Sequence, residues 1–416
     1  MGMRRIGLAA LGLILAGELA VGIAQSSARS AMAIGAVYPT LGSQGAGGLE
    51  EFRGVSMAAE YVNGHGGVHG RPIRLSLADA ESWDAAPDAV EHLSRAAVTV
   101  VVGSYGSTIS RPAAATASRL GLVFWETGAV GELGADAASG TRVFRVPPTG
   151  GALGRAAVAF VRDNLTPRVH FRRPLRFAVA YVDDVYGRAV GLGAVAEIQR
   201  SGLPLAQVFP YDPRHTRFSD LADRIARARP DVLAVAAYLE DGVALRRAVI
   251  HARIPLIANI GTSSSYCMPA FGQLLGEQAV GLFASDKPDG DVLRADRLSP
   301  EGARALRWAT AEYRHRFGES LSAPALAGFA GGLALFDYVL PRARDASAGA
   351  VAEAARQVVL PLGTLPNGSG LAFAPPGTRD AGANLRAASV IWEWVRPYTR
   401  AVVSPQAFAT HAIVFP

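Results

Sequence analysis

A single cysteine, Cys267, stands in the whole chain, so no internal disulfide can close and no C-x-x-C pair exists to hold a metal or exchange electrons. With no base beside it in sequence, Cys267 reads as a small buried residue rather than a nucleophile. Lysine is as scarce: Lys287 is the only one, and the other basic side chains are arginine. These arginines are scattered, without a dense run interleaved with aromatics, so the net charge of +6 does not make a nucleic-acid surface. G-x-S-x-G and H-E-x-x-H are both missing, which removes the common signatures of serine and zinc hydrolases. His65 and His69 are four apart but lie in a glycine turn, and read as exposed loop residues rather than ligands. Gly191-x-Gly193 falls inside a predicted helix instead of directly after a strand, so no dinucleotide site is expected. The sequence therefore predicts no catalytic residue, no metal site and no cofactor.

What is present is apolar and long. Half of the 416 residues are hydrophobic, enough for two or three domains with a large core. Residues 1–32 read as an export signal, with Arg4 and Arg5, an apolar stretch at 6–16, and then recurring small residues that offer several cleavage points. Glu18 interrupts the apolar stretch and argues against a membrane-spanning helix, although an uncleaved anchor stays open. No cysteine lies there to carry a lipid. The expected location is periplasmic or otherwise extracytoplasmic, and not as a lipoprotein.

The stretch at 98–113 carries the strongest local signal. An apolar run, 98–102, meets the turn Gly103-Ser104-Tyr105-Gly106-Ser107-Thr108, and a helix-compatible run follows. Such a turn leaves backbone N–H groups and the hydroxyls of Ser107 and Thr108 at a helix N-terminus, where an anion is favoured. No lysine follows the second glycine, so a small carboxylate suits it better than a phosphate. The competing reading is that Ser107 or Thr108 only caps the helix. Similar strand–turn–helix units recur from residue 33 to 129 and again from 151 to 265, which predicts right-handed βαβ units and parallel sheets. Ligands of such sheets bind beyond the strand C-termini. The loops at 39–48, 103–108 and 125–129 then point at one crevice, and those at 183–187, 238–241 and 259–265 at another edge. Asp183 and Asp184 read as a helix cap. Residues 397–416 show no clear pattern.

Taken together, the segments GLEEFRGVSMAAEYVNGHGGVHGRPIRL (48–75), VVGSYGSTISRPA (101–113), TGAVGEL (127–133), VFRVPPT (143–149), YVDDVYG (181–187), the run 210–242 and LALFDYVL (333–340) resemble the Leu/Ile/Val-binding type of periplasmic solute-binding protein of ABC transporters. The resemblance implies an α/β fold of two doubly wound parallel-sheet lobes joined by a three-segment hinge, the type I periplasmic binding fold. It implies a first lobe of 33–146 plus 281–371, a second of 147–280 plus 372–396, and a tail at 397–416. The hinge crossings would lie near Val146, near 280–284 and near 371–374. It also implies a non-enzymatic monomer that captures a small carboxylate between its lobes and hands it to permease subunits. The alternatives are a sensor feeding a signalling partner and, further off, an enzyme on a doubly wound fold.

Carried over residue by residue, the resemblance makes Ser107 the carboxylate donor, Thr127 and Gly128 part of the pocket wall, and Tyr186 and Tyr238 contacts from the second lobe. Two family contacts to a ligand ammonium fall on Ala129 and near Ile260, which cannot supply them. Glu126, Glu240 or Asp183 would have to substitute, or the ligand has no ammonium. Tyr105 and Trp125, with space at Gly47, suit a larger apolar or aromatic acid. An amino acid and a non-amino acid both remain open.

Overall fold

The computed structural model describes residues 30–133, 142–169, 173–290, 293–378 and 380–414. The expected export signal, but for residues 30–32, lies outside them. Strand β1 (Met32–Tyr38), helix α1 (Gly45–Gly64), β2 (Ile73–Asp79), α2 (Ala85–Arg95), β3 (Val100–Gly103), α3 (Ser107–Arg119), β4 (Val123–Glu126) and β5 (Val143–Arg145) build the first lobe. Its sheet is wholly parallel, in the order β2-β1-β3-β4-β5. Side chains of a strand alternate between faces, and here both faces are buried. Ile34, Tyr38, Val100, Val102, Val123 and Trp125 join the main core, whereas Val37, Val101 and Phe124 join a second cluster with α2 and α3. Strands covered on both sides read as continuous apolar runs, as these do.

The second lobe repeats the scheme. Helix α4 (Gly150–Phe160) leads to β6 (Phe177–Val182), α5 (Val185–Arg200), β7 (Leu205–Tyr211), α6 (Phe218–Ala228), β8 (Val232–Ala236), α7 (Leu239–His251), β9 (Ala258–Thr262), α8 (Pro269–Leu275) and β10 (Phe283–Asp286). The parallel part of this sheet runs β7-β6-β8-β9-β10, the same order as in the first lobe. In both sheets the order reverses beside the first strand, at β1/β3 and at β6/β8, and that reversal opens a crevice at the strand C-termini. Gly191 and Gly193 lie inside α5, as expected, where a side chain would overlap the Tyr181 ring or the α4 backbone.

The chain then returns. Helices α9 (Pro300–Phe317), α10 (Ala323–Leu333) and α11 (Ala348–Gln357) pack against the first lobe. Helix α10 is apolar on all sides because α1 and the first sheet cover it. Its approach to α1 depends on missing side chains: a Cβ at Gly54 would overlap the Ala325 carbonyl, and one at Gly328 the Glu51 carbonyl. Finally β11 (Val390–Arg396) and β12 (Thr399–Ser404) extend the second sheet.

Three features depart from the sequence reading. The second sheet is mixed, since β10–β11 and β11–β12 pair antiparallel. The supposed tail contains β12, whose Ala401, Val402 and Val403 are buried; Tyr398, in the left-handed region at φ 61°, makes the tight turn before it. The stretch 280–284 is not itself a crossing, because β10 belongs to the second sheet and the return begins after it. Residues 371–374 form only isolated bridges, Leu360 with Leu371 and Phe373 with Asn384.

Candidate functional site

The β1/β3 reversal of the first sheet carries the turn singled out from sequence. Helix α3 starts at Ser107 behind Gly106, and no side chain caps it. The capping alternative for Ser107 and Thr108 therefore fails. Thr108 Oγ1 instead accepts from Gln44 Nε2 at 2.9 Å. Ser107 is 5 % exposed, and its Oγ accepts the amide hydrogen of Gly131 at 2.9 Å. That bond uses an acceptor site and leaves the hydroxyl hydrogen to donate. Opposite stands Val185, the first residue of α5 in the other lobe. A Cβ on Gly131 would lie 2.7 Å from Ser107 Oγ and 3.0 Å from Val185 Cγ1, so a bare glycine is what lets the two lobes meet here.

The β6/β8 reversal carries Tyr186 and Tyr238, with ring centroids 5.2 Å apart. Tyr186 donates to the Ser263 carbonyl and lies 3.1 Å from Thr262 Oγ1, at the end of β9. Tyr238 donates to Asp184 Oδ2 at 2.7 Å, while Asp184 Oδ1 accepts the Gly187 amide at 2.8 Å. Asp184 is thus the expected cap of α5, and it also orients Tyr238. Asp183 pairs with exposed Arg188 instead. Burial pushes both phenols up: burial foremost for Tyr186, and burial with the Asp184 charge for Tyr238.

Tyr105 packs on its own lobe and takes up the room expected at Gly47 for a larger ligand. Its ring fills the space over Gly47, where a Cβ would overlap it. Burial raises its phenol, and the charges of Glu51 in α1 and Asp286 at the end of β10 add to the rise.

Three of the expected residues are engaged elsewhere. Trp125 is fully buried on the α1/α10 side of the first sheet. Its Nε1 donates to the Gly331 carbonyl at 2.9 Å, and its ring packs on Phe144 and Phe373. It is a core residue, which corrects its expected place in the ligand pocket. The Thr127 hydroxyl is taken up by Tyr38 and Glu51, each at 2.6 Å, and its amide donates to the Gly103 carbonyl. It shapes the wall without offering a free donor. Glu126 is also fully buried, and one oxygen accepts the amides of Gly128 and Ala129 at 2.8 and 2.7 Å. Burial pushes its carboxyl up to about 7 despite these bonds and the nearby Arg145 guanidinium. One oxygen is thus turned back on its own chain, while the other, Oε2, is buried without a hydrogen-bond partner.

Gly128 does sit on the seam: its carbonyl accepts from Lys287 Nζ at 2.8 Å. Lys287, one residue past β10, is 7 % exposed, so the chain's single lysine ties the second lobe's edge to the first. Sequence reasoning passed over Lys287, Asp286 and Glu51. The first two follow an apolar strand directly, which was signal enough. Glu51 is fully buried in α1, where burial raises its carboxyl and Lys287 opposes the rise. Among the described residues no cluster of His, Cys, Asp and Glu is placed to hold a metal ion.

A family model described as periplasmic binding protein matches residues 31–388. Over 283 residues the chain is 25% identical to the Leu/Ile/Val-binding protein homolog 8 of Brucella suis, covering 66% of this chain and 69% of that protein. It is 26% identical over 264 residues to homolog 7 of Brucella melitensis, covering 63% and 65%. Among solved structures, the leucine-binding protein LivK of Thermotoga maritima superimposes with a TM-score of 0.74 at 17% identity, over 90% of this chain and 98% of that one. The branched-chain amino acid substrate-binding protein LivJ of Streptococcus pneumoniae, in complex with isoleucine, gives 0.71 at 16% identity, over 90% and 100%. These structures share the fold of two parallel-sheet lobes described above.

Proposed function

The chain belongs to the periplasmic binding protein family, and from that premise we propose that it is the extracytoplasmic solute-binding component of an ABC importer. It captures a small carboxylate between its lobes, either a branched-chain or other hydrophobic amino acid or a related apolar or aromatic acid, and presents the closed form to the permease subunits. It releases the ligand unchanged. Residues 1–32 direct its export. The relatives named for leucine, isoleucine and valine binding support the ligand class.

The observation that carries this reading is the meeting of the two sheet reversals. Ser107, at an uncapped helix N-terminus with a hydroxyl hydrogen to give, faces the α5 start that bears Val185 and Tyr186. An N-terminus with unpaired amides and a favourable dipole holds a carboxylate, and charge-assisted hydrogen bonds are the strong kind. The tyrosines add apolar area with polar tips. Micromolar affinity asks for about −8 kcal/mol, within reach of that combination.

The test is calorimetry of the purified mature protein against a panel of aliphatic and aromatic amino acids and their des-amino acids. Binding of at least one member at micromolar strength, with the ligand recovered intact, is the expected result. A panel without a single binder would overturn the reading.

A further inference from the structure

The strand N-termini of the second sheet lie at the opposite end from its crevice. From β8 to β12 they span about 20 Å at the usual strand spacing. Val232, Ala258 and Phe283 begin neighbouring strands there, and antiparallel β11 ends beside them. Three residues on this edge hold the left-handed backbone region that favours glycine. They are Arg229 after α6 at φ 48°, Arg253 after α7 at φ 51°, and Tyr398 between β11 and β12 at φ 61°. Arginine and tyrosine are strained in that region, and after α3 and α5 the same place is filled by Gly121 and Gly202. Strain kept where glycine would relieve it points to a use for the side chain.

All three residues are exposed, Tyr398 by 69 %. A Cβ at Gly276 would lie 3.3 Å from the Tyr398 hydroxyl oxygen, which sets the ring beside the end of α8, where Leu274 and Val280 are exposed as well. Exposed Arg396 ends β11 just before the turn, and exposed Arg247 of α7 donates to the Leu274 carbonyl at 2.9 Å. Arg229, Arg247, Arg253 and Arg396 form no ion pair among the described residues. Asp231 on this edge is bound to Arg173, and Glu277 is the exposed carboxylate ahead of β10, one negative charge against four positive. The arginines are scattered in sequence, and the parallel sheet gathers them beside an exposed aromatic ring and two exposed aliphatic residues.

We propose that this edge is a docking surface for an anionic lipid bilayer. The arginines meet the lipid phosphates, Tyr398, Leu274 and Val280 enter the headgroup layer, and the crevice at the other end of the sheet stays free. Basic side chains are drawn to a negative membrane surface, and a tyrosine, apolar in its ring and polar at its tip, suits the boundary between lipid and water. A second copy of the chain is a poor occupant, because the face would set four arginines against four. A purely ionic polymer would engage the arginines and leave Tyr398 without a role. The surface is independent of which solute the cleft takes.

Sedimentation of the purified mature protein with phosphatidylcholine vesicles, with and without phosphatidylglycerol, tests it. The wild-type protein is expected to bind the anionic vesicles about tenfold or more tighter than the neutral ones, and less as salt is added. The variant Arg229→Gly/Arg253→Gly/Tyr398→Gly relieves the strained backbone and is expected to fold, with binding reduced about tenfold or more. Arg74→Gln/Arg95→Gln removes the same charge from exposed residues of the first lobe, and is expected to bind within about threefold of wild type. Tyr398→Gly alone is expected to weaken binding by about threefold or more. A wild-type protein indifferent to phosphatidylglycerol overturns the proposal. Equal losses in the triple and first-lobe variants overturn it too, since net charge alone would then account for binding. Unchanged binding by Tyr398→Gly makes the surface a merely ionic one, fit for a soluble polyanion, and also overturns it. If the triple variant does not fold, Tyr398→Gly and the first-lobe variant decide.

Discussion

The hydroxyl oxygen of Ser107 accepts the amide hydrogen of Gly131 at 2.9 Å, on the side of α3 that meets the second lobe. The bond orients the hydroxyl and leaves its hydrogen directed away from Gly131. Ser107→Ala therefore has two consequences. Ligand affinity is expected to fall at least tenfold, about 1.4 kcal/mol. The unpaired Gly131 amide is expected to cost about 1–3 kcal/mol of stability. Calorimetry well below the melting midpoint separates the two, and unchanged affinity would remove Ser107 from the site.

Trp125 supports the first sheet rather than the ligand. Trp125→Phe removes the indole bond to the Gly331 carbonyl and part of the packing against Phe144 and Phe373. Stability is expected to drop by about 2 kcal/mol, with ligand affinity unchanged within about twofold. Chemical denaturation followed by titration of the folded variant checks both. A large affinity loss at intact stability would return Trp125 to the pocket.

Glu126 gives the fold a pH dependence of definite sign. Its carboxyl stands at about 7 in the folded chain, against about 4.3 when unfolded. Between those values the native state binds more protons than the unfolded state, so stability is greatest at the acid end and is lost as pH rises toward and through 7. The contribution is about 4 kcal/mol at most. Glu126→Gln keeps an acceptor for the Gly128 and Ala129 amides but cannot titrate. From pH 5 to pH 8 the wild-type protein is expected to lose stability relative to this variant. Parallel profiles would refute the shift.

Gly47 makes room for Tyr105. Gly47→Ala gains up to about 1 kcal/mol of helix propensity, but its Cβ would overlap the tyrosine ring, and overpacking costs about 1–3 kcal/mol. The net change in stability is small, and the ring is displaced. Ligand affinity is expected to fall by about tenfold, with a rotated Tyr105 in a crystal structure of the variant. An unmoved ring at unchanged affinity would count against Tyr105 as a cleft residue.

The alternation of strands, turns and helices was legible because each parallel strand is a short apolar run and each turn is marked by glycine or a hydroxyl residue. The turn at Ser107 and the loops at 183–187 and 238–241 were legible for the same reason, since they follow such strands, whereas Tyr186 and Tyr238 were singled out within them only by the family resemblance. Trp125 was not, because every residue of β4 is buried and the run does not say which face meets the crevice. The buried face of α1 was only half legible: Val55, Ala59 and Val62 show a helical period, but Gly48, Glu51 and Gly54, buried beside them, do not. A contact made through absent side chains leaves no hydrophobic period to detect, and a buried glutamate on it looks like a solvated one. Strand β12 was hidden by its polar ends, Thr399, Arg400 and Ser404, and by a turn built on Tyr398 rather than glycine.

Lys287 has a practical corollary. Apart from an N-terminal amine, it is the chain's one target for an acylating reagent, and the seam that shields it should open only when the lobes part. The yield of acylated Lys287, read by mass spectrometry over time, then counts how often the clamshell gapes, and a guest that holds it shut registers as protection without any engineered probe.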